Sequence, residues 1–360
     1  MYELKQGKDD PKMSMSDEVR ANPRYKTPKK KKKKSFAESF IPMKGDSAGE
    51  VVSKLIALVS IAALVVCAIV LGLYFYHIFE AKQNQKNLSE RYKVYNNLTQ
   101  VGSSDADQVP AETDGNGEIV REPLVNLPFA DEMLAINSDY VGYVSIPGVV
   151  NEAVVQSKDN ELYLKTNIYG QKRQCGTIFA DCRNVVSDYP DLQSDNIILY
   201  GHNQRDGTMF GQLDYYKWDY KYWLQNPFIY FDNRYEQNTY VIVASFIINT
   251  EPEHDNGYVF DYQNYINFEE GHTFESFKKE INERSHFRTG IDINENDKFI
   301  TLSTCSYEWE PARHVIIGRK LRPGETTENI DTTNFAVNPN PKWPAVYYKY
   351  NGGTYVENNG

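Results

Sequence analysis

One thiol in this chain ends a run whose residue types suit covalent chemistry. In DKFITLSTC, residues 297–305, apolar and polar positions alternate. Phe299, Thr301, Ser303 and Cys305 therefore share one face, and Ile300, Leu302 and Thr304 the other. A period of two makes a strand, with Cys305 at its end rather than its middle. Any single thiol is by default a small buried hydrophobe. To act as a nucleophile it needs a base or a cation nearby that favours thiolate. Two groups stand at the ends of comparable runs. His202 closes NIILYGH beside Gly201, and Arg313 opens RHVIIGRKL eight residues after Cys305, so a short connection returns it beside the thiol. Together they would supply a nucleophile, a proton carrier and a permanent cation.

Rival residues have weaker claims. Arg319 shares the Arg313 face but lies at the far end of that strand, about 20 Å away. His314 points to the opposite face and reads as a packed or edge histidine. His254, in EPEHDNG, sits among acids with no second His or Cys at ligand spacing, so neither a metal nor a cofactor is expected. Cys67 falls inside an apolar run. Cys175 and Cys182 bracket GTIFAD, which as a strand holds them about 23 Å apart. A disulfide needs Cα atoms within about 7 Å.

These residues need a scaffold to bring them together. YVGYVSI, EAVVQ, CGTIFAD, NIILYGH, YEQNTYVIVASFIIN, DKFITLSTC and RHVIIGRKL read as strands, punctuated by breakers such as Pro147-Gly148 and Asp206-Gly207. LPFADEMLAIN reads as a short helix ahead of them. Thr273–Arg284 reads as a second helix, with Phe274, Phe277 and Ile281 on one face. The sum is a mainly β fold, a closed or nearly closed barrel of seven to eight strands over residues 123–323. Residues 324–360 lose the alternation and gain Pro, Asn and Gly, which predicts a C-terminal tail or small appendage.

Charge divides the chain of 360 residues unevenly. Overall 39 Lys+Arg oppose 49 Asp+Glu, a net charge of −10. Residues 1–54 hold 14 basic and 8 acidic groups, a balance of +6, which leaves −16 for the remainder. The acidic bulk argues against nucleic acid as a partner. Between the two zones, Leu55–Tyr76 runs 22 residues without a charge. As a helix at ~1.5 Å per residue it reaches about 33 Å, enough for a hydrocarbon core of roughly 30 Å. The lysine run Lys29–Lys34, with Lys44 and Lys54, puts the N-terminus in the cytoplasm and the bulk outside. The leader and the span are both too long for a cleaved signal peptide. The expected plan is a basic cytoplasmic tail (1–54), a single-pass membrane anchor (55–79), a stalk and linker (80–122), the catalytic domain (123–323) and the extension (324–360).

LYGHNQRDGTMFGQL, TLSTCSYEW and RHVIIGRKL resemble, in order and spacing, the His, Cys and Arg motifs of sortases, membrane-anchored cysteine transpeptidases of Gram-positive bacteria. The resemblance is to class B, through the TLSTC strand, the YGHN–DG–MF segment, NSDYVGYVSIPG, VVQSKDNELYL and GTIFADCRN. The helix at Thr273–Arg284 fits that class too. It spans roughly residues 127–321. Tyr143 stands where the class pattern has Trp, and both the leader and the tail after Arg322 exceed the pattern.

The resemblance implies a sortase-like barrel in which Cys305 attacks the carbonyl of a Thr–Gly or Thr–Asn type bond in a C-terminal sorting motif. His202 would protonate the leaving amine and later deprotonate the incoming one, and Arg313 would stabilise the oxyanion or hold the substrate backbone. Ser303, on the Cys305 face, and Asn160, in a segment that borders the groove in this class, become substrate-binding candidates. The implied partners are surface proteins bearing a sorting signal, a peptidoglycan precursor or other amine, and the bacterial membrane. A thiol peptidase that hydrolyses surface proteins, a pilus-building sortase and a tethered scaffold with a dead site are the competing readings.

Overall fold

The structure, a computed structural model, describes residues 35–99 and 121–355. The lysine run Lys29–Lys34 and residues 100–120 of the expected linker lie outside the described residues. The chain divides into two compact units between Phe75 and Tyr76.

In the first unit a short α1 (Phe36–Phe40) precedes the start of α2 (Ala48–Thr99). Leu55, Ile56, Val59, Leu64, Ile69 and Leu73 are all exposed along α2. A helix apolar all round is suited to lipid. Among the described residues it is the one helix long and apolar enough to cross a membrane.

The second unit holds the later turns of α2, then α3 (Pro128–Ile136), β1 (Tyr140–Ile146), β2 (Val150–Val155), β3 (Ile178–Ala180) and β4 (Asn196–Tyr200). After these come α4 (Tyr220–Gln225), β5 (Phe228–Asn233), β6 (Gln237–Asn249), α5 (Phe274–Arg284) and β7 (Phe287–Arg288). The chain finishes with β8 (Phe299–Ser306), β9 (Ala312–Lys320), β10 (Ala336–Val337) and α6 (Ala345–Asn351). Eight strands close a barrel in the order β1-β2-β3-β4-β8-β9-β6-β5, and β5 pairs back onto β1. β2 with β3 and β4 with β8 are parallel; the remaining barrel pairs are antiparallel. The fold expectation holds. The barrel strand that the alternation missed is β5, whose FIYF is a short apolar run of a kind that buried helices share.

Alternation sorts side chains as anticipated. Ile300 and Leu302 fill the barrel interior with Val144, Leu199 and Ile316. Phe299 packs outside it with Phe274, Phe277 and Ile281 of α5. Thr273 caps α5 by accepting from the Ser276 amide, which satisfies one of the unpaired N–H groups of its first turn. Burying one such phenylalanine contributes about 2–3 kcal/mol, enough to hold a short helix that is polar elsewhere.

A third apolar cluster joins α2 and α3 to the outside of β1. Leu88 and Tyr92, one helical turn apart, are its contribution from the segment read as a stalk. The Tyr92 ring stacks on Tyr143 at 4.0 Å, and its hydroxyl donates to Asp232 at 2.7 Å. Tyr143 is thus fully buried in an aromatic cluster.

Residues beyond 323 also pack on the barrel unit. β10 pairs with β7, and Trp343 stacks on His286 at 4.4 Å and on Tyr347 at 4.0 Å. His286 is buried there, with Nδ1 on the Lys217 carbonyl. Burial, helped by the nearby Lys217 ammonium and opposed by that carbonyl and by Glu308, pushes His286 down to about 4. Burial drives His314 down as well, with Lys217 and His286 adding to it. Both imidazoles are therefore neutral in the fold and gain protons on unfolding below about pH 6.5. Stability is expected to be full above that pH and to fall as pH drops towards 4, by about 3 kcal/mol from His286 alone. Denaturant melts at several pH values check this. His286→Gln should flatten the slope between pH 6.5 and 4, and an unchanged slope would refute the assignment.

Candidate active site

The β8–β9 hairpin sets the first pair. Its register places Cys305 directly across from Arg313, Ser303 across from Val315, and Thr304 across from His314. Arg313 Nη1 lies 3.5 Å from Cys305 Sγ and donates towards it, and it also donates to the Ala312 carbonyl at 3.1 Å. Both side chains are half-buried on the outer face of the barrel. That contact sets a guanidinium with fixed donors directly beside the sulfur.

The end of β4 brings the imidazole. β4 runs parallel to β8 with Tyr200 opposite Ser303. The contact continues past the strand, because the Gly201 amide donates to the Ser303 carbonyl and the Thr304 hydroxyl to the Gly201 carbonyl, at 3.2 and 2.7 Å. Gly201 is required by packing, since a Cβ there would come within 2.7 Å of the Phe210 ring. Next along, the Asn203 side-chain amide donates to the Cys305 carbonyl at 2.9 Å and to Asp214 at 2.9 Å. His202 is thus carried on a backbone segment clasped to Thr304 and Cys305 from both sides. Its Nε2 meets the Leu164 carbonyl at 2.7 Å. A carbonyl only accepts, so Nε2 bears the proton and Nδ1 remains for proton exchange. Asp206-Gly207 is the turn that the sequence suggested: Gly207 has φ +80°, and the Thr208 amide donates to the Asp206 carboxylate.

Ser303 is buried, and its hydroxyl lies 2.6 Å from the Tyr262 hydroxyl. Asn160 donates to Asp181 at 3.1 Å and accepts from the Cys182 amide at 2.8 Å. Asp181 also accepts from the Tyr200 hydroxyl at 2.9 Å. A line of polar side chains, Asn160–Asp181–Tyr200, therefore reaches the strand position beside Ser303. Burial pushes the Asp181 carboxyl up, but bonds from Arg183 and Tyr200 outweigh it and hold the group below the usual carboxylate range.

The rivals fall elsewhere. Arg319 lies opposite Phe299 and is ion-paired with Glu325 at 2.7 Å. His314 is fully buried, 2.8 Å from the Ser245 hydroxyl, and His254 lies 4.0 Å from a Glu251 oxygen. Cys67, Cys175 and Cys182 are free thiols. A cavity of about 1120 Å³ lies between α5 and the C-terminal segment, lined by Arg288, Trp343 and Tyr348, and none of Cys305, His202 and Arg313 borders it.

Three features escaped sequence reasoning. Tyr262 partners Ser303 from a connection with no periodic pattern. Asn203 gave one signal, its place directly after His202. Lys217 is buried beneath the hairpin, paired with Asp214 at 2.8 Å and Glu308 at 3.1 Å. Nothing local distinguishes it from a surface lysine.

A closed barrel thus sets a cysteine against an arginine, with a histidine at the end of the adjoining strand. No protein-family model matches the chain. Sortase B of Listeria monocytogenes is 30% identical over 261 residues, covering 70% of this chain and 93% of that protein. Sortase B of Staphylococcus aureus is 29% identical over 199 residues, covering 54% of this chain and 75% of the relative. Among solved structures, a Staphylococcus aureus sortase B–substrate complex shares the fold with a TM-score of 0.51 at 24% identity, covering 68% of this chain and 99% of that one. A Bacillus anthracis sortase B in complex with AAEK1 gives the same TM-score of 0.51 at 23% identity, over 69% and 99% of the two chains. The chain belongs to the class B sortases and is an enzyme of the cysteine-transpeptidase type.

Proposed function

We propose that residues 123–323 cleave a C-terminal sorting motif of surface proteins and join the freed carbonyl to a cell-wall amine. The observation that carries this is the Arg313 guanidinium 3.5 Å from Cys305 Sγ, beside the clasped His202 segment. Cys305 passes its thiol proton to Nδ1 of His202, and the sulfur adds to the scissile carbonyl. The resulting oxyanion is stabilised by Arg313, whose charge is permanent at any working pH. Collapse expels the amine, which takes a proton from His202, and leaves a thioester on Cys305. An incoming amine then gives its proton to His202, attacks the thioester and releases Cys305. Ser303 and Asn160 are proposed to border the substrate: Ser303 through the face it shares with Cys305, Asn160 through the polar line to Tyr200. The exposed apolar α2 supports a single-pass anchor, with residues 1–54 cytoplasmic and the catalytic unit outside the cell.

The test uses the full chain in detergent with a library of sorting peptides, with and without hydroxylamine. The expected result is cleavage in which hydroxylamine converts the product from free acid to hydroxamate. Free acid alone, whatever the amine concentration, would establish the hydrolytic peptidase instead. Lysine-bearing pilin peptides as acceptors separate wall anchoring from pilus assembly.

A further inference from the structure

The chain between Cys305 and Arg313 is a short connection, Ser306–Ala312, and its shape decides whether the two side chains meet. Three consecutive residues pin it, each to a different element. The Tyr307 hydroxyl donates to the Asn203 carbonyl at 3.4 Å, on the segment that carries His202. Glu308 accepts from the Lys217 ammonium at 3.1 Å and from the Ser306 hydroxyl. Burial pushes Glu308 up, but these bonds outweigh it, so the carboxyl stays charged and below its usual range. Trp309 is buried in a cluster with Ile247, Ala312, Trp343 and Val346, and its ring meets Tyr347 edge-on at 6.5 Å.

Three of those partners of Trp309, namely Trp343, Val346 and Tyr347, belong to the extension beyond the barrel. That extension is itself fastened along its length. The Asn338 side chain donates to the Ser285 carbonyl at 2.8 Å, and the Lys342 ammonium pairs with Glu283 at 2.9 Å. The Ala345 amide donates to Asp255 at 2.8 Å. Each anchor joins the extension to the α5 end or to the connection after β6, so the cluster is a rigid shelf rather than a loose end.

We propose that residues 338–351 are a positioning element of the active site: Trp343 and Val346, packed in the Trp309 cluster, hold the hairpin connection that keeps Arg313 against Cys305. The inference rests on Cys305 and Arg313 acting as proposed above. A misplacement of about 1 Å in a catalytic group costs on the order of 10²-fold in rate. Loss of the shelf therefore shows in turnover and not merely in stability.

The test compares full-length variants at a temperature where each is folded. Trp343→Ala is expected to lower kcat for peptide transfer about tenfold, with KM within about twofold. The rate of Cys305 alkylation by iodoacetamide should fall in the same variant, because the cation no longer faces the sulfur. Trp343→Phe, which keeps an aromatic ring in the cluster, should restore most of both. Trp218→Ala removes a ring that stacks on Trp343, 5.7 Å away, but is not itself a member of the Trp309 cluster. It should cost stability but leave kcat and the alkylation rate unchanged. If Trp343→Ala does not fold, Val346→Ala carries the same expectations at smaller amplitude. Folded variants of Trp343 or Val346 with wild-type kcat and alkylation rate overturn the proposal, as does an equal loss in Trp218→Ala. Alkylation needs no substrate, so a wild-type chain that cleaves no sorting peptide would sink the functional reading while still reporting on the shelf.

Discussion

Cys305→Ala is expected to lower sorting-peptide cleavage by on the order of 10⁴-fold or more and to remove any covalent acyl adduct. The thioester requires this sulfur, and the other thiols cannot substitute for it. Cys67 lies in the apolar helix, and Cys175 and Cys182 flank the short strand β3 rather than facing Arg313. Peptide affinity should stay within a few-fold, because the groups that would hold the substrate backbone are untouched. Two measurements check this: the cleavage rate by chromatography, and the intact mass of the protein after mixing with peptide. Cys305→Ser should be nearly as inactive, since an alcohol beside the same guanidinium remains protonated near neutral pH. Cleavage by the alanine variant within tenfold of wild type would remove Cys305 from the role of nucleophile.

Arg313→Ala should lower kcat by about 10²–10³-fold, the usual cost of losing one donor aimed at a developing oxyanion. Arg313→Lys should recover only part of this, because an ammonium is a compact charge on a flexible stem and lacks the fixed fork of a guanidinium. Thiol alkylation should slow in Arg313→Ala as well, since the cation no longer faces the sulfur. Arg319→Ala is the internal comparison. It deletes the same residue type from the same strand face, but opposite Phe299 and from an ion pair with Glu325. That change should reduce stability with little change in kcat. Equal losses of kcat in the two variants would mean that general destabilisation, not oxyanion contact, explains the effect.

Much of the barrel was legible because its information is local. A period of two in β8 and β9 sorts Ile300, Leu302 and Ile316 inward and puts Cys305, Arg313 and Arg319 on one outer face. That count, with a short connection, also chose Arg313 over Arg319. The spacing of Phe274, Phe277 and Ile281 located α5, and Thr273 served as its cap. β5 was missed because FIYF has no alternation to read. The site was legible as three residue types at strand ends, and the motifs around them added the family, which the Listeria and Staphylococcus relatives bear out.

The amino-acid sequence by itself determined the faces of the strands, the uncharged span, the helix before the cysteine strand and the side chains available for chemistry. These depend on period, length and charge within a few turns of chain. The tertiary structure alone decided that β4 lies parallel to β8, that Leu164 orients the His202 ring and that Asn203 clasps Cys305. It alone decided that Lys217 is buried under Glu308, that Leu88 and Tyr92 pack on the barrel wall, and that the final helix shares a core with Trp309. Each of these is a contact between residues far apart in the chain. Their energies come from burial and hydrogen bonds that form only once the barrel closes, and no local pattern encodes which remote partner will be there.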